Sequence, residues 1–215
     1  ARRFVIATGS RSLRPAIPGL DSVPYFTTET IFDNTRKLTH LVIAGAGPQG
    51  LELAQAYNRL GTQVSVVEPG RPLPGSDPEL AAIAVQRMRE EGVDIRTETE
   101  ISGIQARSQG IGIIIRSAAG EEMLDASHVL VAAGRAPNLE GLDVEKAQIR
   151  RLRLDPSRLE VGPDLKTTNR RVYAIGDAAG GNSAQLADHQ ARMVVRNALF
   201  GLPVRQQPHL VPTVT

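Results

Sequence analysis

Three glycines, Gly45, Gly47 and Gly50, fall in the spacing Gly-x-Gly-x-x-Gly, with Pro48 and Gln49 between the second and the third. An apolar run, Leu41-Val42-Ile43-Ala44, precedes them, and a stretch with helical periodicity follows. Each glycine in such a turn answers its own steric demand. The first permits a tight reversal, the second lets backbone approach a pyrophosphate with no Cβ in the way, and the third lets helix and strand pack closely. Unpaired N–H groups at the helix start, with the helix dipole behind them, suit an anion. Glu68 stands at the end of the next apolar run, Val64-Ser65-Val66-Val67. A carboxylate there can accept hydrogen bonds from both ribose hydroxyls of an adenosine. It repels a 2′-phosphate, because two unit charges ~4 Å apart interact by about 4 kcal/mol at an effective dielectric of 20. The expected cofactor is therefore NAD, with NADH preferred over NADPH; Arg71 is the one nearby cation that argues otherwise.

Each of these residues has a plainer reading. A glycine-rich turn without a ligand and a solvated glutamate at a strand end are both common. The strand–turn–helix context and the acid at the next strand end favour the nucleotide. Glu52 falls in what reads as the first turn of the helix, where acids are favoured for electrostatic reasons alone, so residue chemistry leaves its role open. Thr8-Gly9 and Gly176-Asp177 are strand-end turns far apart in the chain. Taken singly, each reads as a plain turn.

The elements that must hold these residues follow from periodicity. Phe4-Val5-Ile6-Ala7 reads as a short buried strand, and the stretch holding Pro15, Pro18 and Pro24 is neither helix nor central strand. After the strand at 41–44, a helix to about Leu60 places Leu53, Ala54, Tyr57 and Leu60 on one face, with Gly61 as its stop. Asp77-Pro78 opens a second helix whose inner face reads as Leu80, Ile83, Ala84 and Met88, closed by Gly92. From about residue 93 the period changes to short strands near 94–97, 101–106, 111–116 and 123–125. There Ile111, Ile113 and Ile115 alternate as in a half-buried antiparallel strand. Residues 129–133 return to the parallel sheet, and 134–138 read as a turn. Residues 172–175 form another buried strand. A helix over 184–200 is capped by Gly201, and a tail with Pro203, Pro208 and Pro212 reads as an extended linker. The order requires an α/β protein, a Rossmann-like parallel sheet with an antiparallel β-meander.

Composition narrows the function classes. Hydrophobic residues make up 41% of the 215, and aromatics only 3%, so the core is aliphatic. The net charge of +2 comes with scattered arginines and no basic stripe, which argues against nucleic acid as a partner. The absence of Cys excludes disulfides, thiolate catalysis and Cys-ligated metal within these residues, and the four His (His40, His128, His189 and His209) form no metal-ligand pair. No metal ligand and no catalytic residue is assigned here. No apolar run approaches the ~20 residues of a membrane helix, and no signal peptide precedes the first strand, so a cytoplasmic protein is expected. The start, Ala-Arg-Arg straight into a strand without Met, suggests a piece of a longer protein.

In chain order and over nearly the whole length, the motifs resemble the flavoprotein disulfide reductases of the pyridine nucleotide-disulfide family, in its dihydrolipoamide dehydrogenase and mercuric reductase branch. Phe4-Val5-Ile6-Ala7-Thr8-Gly9-Ser10 looks like the family's Ala-Thr-Gly strand, and Ile17-Pro18-Gly19-Leu20 like the segment after it. Gly45 to Glu52 looks like the nicotinamide-nucleotide fingerprint with its trailing glutamate. Ala133-Gly134-Arg135-Ala136-Pro137-Asn138 looks like the Gly-Arg-x-Pro-Asn turn, and Tyr173-Ala174-Ile175-Gly176-Asp177 like the second flavin motif.

The resemblance implies roles. Asp177 serves the flavin ribityl and phosphate region. Thr8 and Gly9 pass close to the flavin nucleotide, Leu186 and Ala187 lie near its pyrimidine edge, and Arg135 lies near the FAD. Gly134 meets the nicotinamide nucleotide, and Glu52 reaches toward the nicotinamide end. It also implies residues 36–152 as the NAD-binding domain, 1–35 as the end of the FAD-binding domain, and 153–215 as the rest of the FAD and central domains with a linker. An FAD fingerprint and redox cysteines are expected before residue 1. A C-terminal domain that pairs two subunits is expected after Thr215, making the whole enzyme a homodimer. The function so implied is transfer of hydride from NADH to FAD and on to a disulfide or similar acceptor, with this chain alone binding NAD(H) weakly and FAD hardly at all. The rivals are a non-catalytic Rossmann sensor, which needs no proximity between Thr8-Gly9 and Gly176-Asp177, and an NADH oxidase or peroxidase relative.

Overall fold

The structure, a computed structural model, describes residues 1–181 and 183–207. In chain order the elements begin with β1 (Phe4–Ile6), β2 (Ser10–Ser12) and β3 (Phe26–Thr27), with single 3-10 turns at Leu20–Ser22 and Ile31–Asp33. Then come β4 (His40–Ala44), α1 (Pro48–Arg59), β5 (Gln63–Val67), α2 (Pro78–Glu90) and β6 (Asp94–Arg96). The meander is β7 (Glu100–Ala106), β8 (Ile111–Ser117) and β9 (Gly120–Ala126), after which β10 (His128–Val131) and β11 (Arg135–Pro137) follow. The chain continues through β12 (Arg151–Leu152), β13 (Asp155–Leu159) and β14 (Val172–Ala174) to a 3-10 turn at Gly176–Ala179 and α3 (Ala184–Phe200). This is the α/β fold read from the sequence, with its parallel sheet and antiparallel meander.

The chain divides into two compact units, residues 12–134 and residues 1–11 with those from 135 on. The first holds a parallel sheet in the order β3-β10-β4-β5-β6. Its central strand explains itself by alternation: Leu41 and Ile43 face α1 and α2, whereas Val42 faces the meander with Val129, Val131 and Ile113. Both faces are covered, so the run is continuously apolar. Each fully buried aliphatic side chain contributes roughly 1.5–3 kcal/mol. Residues 13–35 belong to this unit because Leu20 and Val23 bury against the meander and β3 pairs with β10.

The second unit centres on β14, which alternates in the same way. Val172 and Ala174 pack with Leu139, Val144 and Leu159, while Tyr173 packs with Leu165, Met193 and Val194 of α3. β14 runs parallel to β1, with Phe4 opposite Val172 and Ile6 opposite Ala174, and β12 pairs with β13. α3 begins at Ser183, whose hydroxyl accepts from the Leu186 N–H at 3.2 Å, and ends at left-handed Gly201, as its periodicity requires.

Several details depart from the sequence reading. β1 is not buried: Phe4 is 54% and Val5 47% exposed, because β14 is its sole strand partner among the described residues. α2 turns Met88 inward as expected but together with Ala81 and Val85, leaving Leu80, Ile83 and Ala84 outside. α1 ends before Leu60, which is 79% exposed, and it buries Leu51 beside Ala54. β6 joins the parallel sheet, so the change of period falls after it. The turn expected at 134–138 contains β11. Pro208 and Pro212 of the expected linker, and His209, lie outside the described residues. Among the described residues no helix is long and apolar enough to cross a membrane.

Candidate functional site

β4 delivers the chain to Gly45, whose φ of 113° belongs to the left-handed side of conformational space. A Cβ here would lie 2.6 Å from the Ala132 carbonyl oxygen, so a side chain is excluded twice over. A Cβ at Gly50 would lie 2.2 Å from the Gly45 carbonyl oxygen, which is how closely the start of α1 packs on the turn. Gly47 differs from both: a Cβ there meets nothing within 4 Å. It is the N-cap of α1, with no side chain among the described residues capping the first turn, and Pro48 follows as the first helical residue. Pro48 and Gln49 are exposed. The open space thus faces the uncapped positive end of a 12-residue helix.

Glu68 leaves β5 and turns its carboxylate back onto this turn. One oxygen accepts the Ala46 N–H at 2.8 Å, and the other accepts the Gly70 N–H at 3.0 Å. An ionised carboxylate has about four lone-pair sites, so two acceptor positions remain for hydroxyl donors. The Arg71 guanidinium is bound to the Pro74 carbonyl, 3.1 Å away in its own loop. Glu52 is exposed on α1. Because the helix starts at Pro48, Glu52 sits in its second turn, past the reach of the end-charge effect that offers the bland explanation for it. Gly134 is exposed at a φ of 113°, and its carbonyl accepts the Leu13 N–H at 2.9 Å.

In the other unit, the parallel pairing of β1 with β14 sends Thr8-Gly9 and Gly176-Asp177 out of neighbouring strand ends. Ser10 joins them. Its hydroxyl donates to Asp177 and accepts from Arg135 Nε at 2.8 Å, while Arg135 Nη2 donates to the Ser10 carbonyl at 2.8 Å. Asn138 staples the same corner: its carbonyl accepts the Thr8 hydroxyl at 2.7 Å, and its N–H donates to the Gly9 carbonyl at 2.9 Å. Gly9 has a φ of 65° and open space where a Cβ would be. The Gly176 N–H is held by the buried Gln190 side chain at 2.7 Å. Leu186 and Ala187 are half-buried in the first turn of α3, and the Ala187 methyl lies 3.4 Å from where a Gly176 Cβ would be. The two flavin-like turns are therefore adjacent, and the sensor reading loses the separation that would have favoured it.

Sequence reasoning passed over Ser10 and Gln190. The signal for Ser10 was its place directly after Thr8-Gly9. Gln190 gave none beyond being polar on the inner face of a helix.

Comparison with known proteins agrees over the same span. The family model for pyridine nucleotide-disulphide oxidoreductases matches residues 1–198. A mercuric reductase of Streptomyces lividans is 33% identical over 218 aligned residues, covering 100% of this chain and 45% of the relative. A dihydrolipoyl dehydrogenase of Thermus scotoductus is 35% identical over 190, covering 83% of this chain and 39% of the relative. Among solved structures, the Cu(II) complex of the HOCl-induced flavoprotein disulfide reductase RclA from Escherichia coli superposes with a TM-score of 0.85 at 26% identity, covering 96% of this chain and 47% of that one. The chain spans under half the length of these relatives.

Proposed function

The chain belongs to the pyridine nucleotide-disulphide oxidoreductase family, and from that premise we propose that it is the nicotinamide-nucleotide-binding core, with adjoining parts of the flavin domain, of an enzyme that passes hydride from NADH to FAD and on to a disulfide or similar acceptor. The family implies FAD and a pyridine nucleotide. One observation carries the reading: the open space at Gly47, before an uncapped helix start, is flanked by a carboxylate turned onto the same turn.

The residues fit such ligands. Gly45 and Gly50 shape the turn, and the amides from Gly47 to Gly50, less Pro48, receive the pyrophosphate. Gln49 and Pro48 form the rim. Glu68 takes the adenosine ribose through its two remaining acceptor positions. Its charge sets NADH above NADPH, and the engaged Arg71 offers little to offset it. Glu52 and Gly134 serve the nicotinamide end. Thr8, Gly9, Arg135, Asp177, Leu186 and Ala187 serve FAD, with Asp177 held in place by Ser10. When bound, FAD supplies the two-electron chemistry that links NADH to the acceptor. On this reading residues 36–152, apart from Arg135, serve NAD, with 1–35 and 153–215 serving the flavin and central parts, although residues 13–35 pack within the first unit. The family resemblance supports a cytoplasmic homodimer joined through a C-terminal domain.

The test is nucleotide discrimination. Glu68→Gln removes the charge while keeping an acceptor. The ratio of NADPH to NADH dissociation constants, from calorimetric titration, is expected to fall at least tenfold, or ~1.4 kcal/mol. An unchanged ratio removes Glu68 from the site.

A further inference from the structure

Ala46, between the first two glycines, is gripped from two sides. Its N–H goes to the Glu68 carboxylate at 2.8 Å, and its carbonyl accepts the N–H of Leu73 at 3.0 Å. In a trans peptide the C=O and N–H point in opposite directions, and no cis peptide occurs among the described residues. Aiming the Ala46 carbonyl at Leu73 therefore aims the Gly47 N–H, in the same peptide, the other way. Among the described residues no acceptor takes that N–H, and of the three motif glycines Gly47 is the one with open space before it. The preceding peptide gives an internal check. With the Ala46 N–H on Glu68, the Gly45 carbonyl must point away, and it lies against Gly50.

Leu73 is unusual in its own right. Its φ is 49°, a conformation that side chains other than glycine, asparagine and aspartate rarely adopt. It is 9% exposed and belongs to the same apolar cluster as Leu51, Ala54, Val85 and Met88. A glycine would enter this conformation freely but would bring no anchor. The leucine side chain secures the loop in the core and so holds the N–H on Ala46. The Leu73 carbonyl is also used, accepting the Ser76 N–H at 2.9 Å.

We propose that Leu73 is a positioning residue for the dinucleotide site: its buried side chain holds a left-handed backbone whose N–H orients the Ala46–Gly47 peptide, so that the Gly47 N–H faces the pyrophosphate. This rests on the nucleotide reading above and deepens it. The device lies outside the glycine motif, 23 residues beyond Gly50 in sequence.

The test uses the 215-residue chain and NADH in calorimetric titration, with the wild type, Leu73→Ala, Leu73→Met and Met88→Ala. Met88→Ala empties a site in the same cluster without touching the turn, and so controls for stability loss alone. NADH is expected to bind Leu73→Ala at least fivefold more weakly, while Leu73→Met, which keeps an apolar anchor, and Met88→Ala stay within twofold of the wild type. In ¹⁵N spectra the Gly47 amide resonance is expected to shift on adding NADH in the wild type and less in Leu73→Ala. Unchanged affinity in Leu73→Ala, or an equal loss in Met88→Ala, overturns the positioning role while leaving the site itself standing. A wild-type chain that does not bind NADH overturns the site, and the positioning role with it.

Discussion

A methyl group added at Gly45 or Gly50 meets backbone, whereas one added at Gly47 meets none of the described residues within 4 Å, so three similar substitutions separate shape from function. At Gly50 it would press on the Gly45 carbonyl, and at Gly45 on the Ala132 carbonyl in a backbone conformation that alanine resists. Both neighbours are backbone and cannot swing aside. Gly50→Ala is expected to cost about 1–3 kcal/mol of folding stability by overpacking, and Gly45→Ala more, since strain at positive φ adds to the clash. Urea unfolding midpoints check this; wild-type stability in either variant would mean that the turn is looser than described. The glycine pattern was legible from sequence because each glycine has its own steric reason. Leu73 was not, since nothing in a leucine's identity announces a positive φ.

At the scale of elements, α2 teaches what periodicity leaves open. Two apolar stripes share Met88 on this helix, one with Leu80, Ile83 and Ala84, which reads as the inner face, and one with Ala81 and Val85. The sheet accepts the second, placing Ala81 and Val85 in the cluster with Val64 and Val66. Spacing fixes which residues share a face but not which face is chosen when both are apolar. Val85→Ala is expected to destabilise by about 1–3 kcal/mol through lost burial and a residual cavity. Leu80→Ala, at a position 67% exposed, is expected to stay within about 0.5 kcal/mol. Thermal or urea unfolding decides, and the reverse order would restore the face read from sequence. The start of α2 was legible because Asp77 and Pro78 state it chemically: the Asp77 carboxylate accepts the N–H groups of Glu79 and Leu80.

At the scale of the whole molecule, the chain is wound so that distant motifs meet. β1 and β14 pair although the whole unit of residues 12–134 lies between them in sequence. Ser10, Asp177 and Arg135 form one corner from three segments. Sequence reading reached this corner through resemblance, since a Thr-Gly turn and a Gly-Asp turn carry no mark of their proximity. It could not foresee the exposed face of β1, because an apolar strand looks the same whether or not both its edges are paired. The account stands on the open space at Gly47, and one pair of titrations tests it most directly: NADH into the wild-type chain and into Gly47→Ala, with the unfolding midpoint of each. The added methyl touches none of the described residues within 4 Å, so the midpoints are expected to agree while NADH affinity falls at least tenfold. Equal affinity in the two proteins would mean that the pyrophosphate does not lie at this turn.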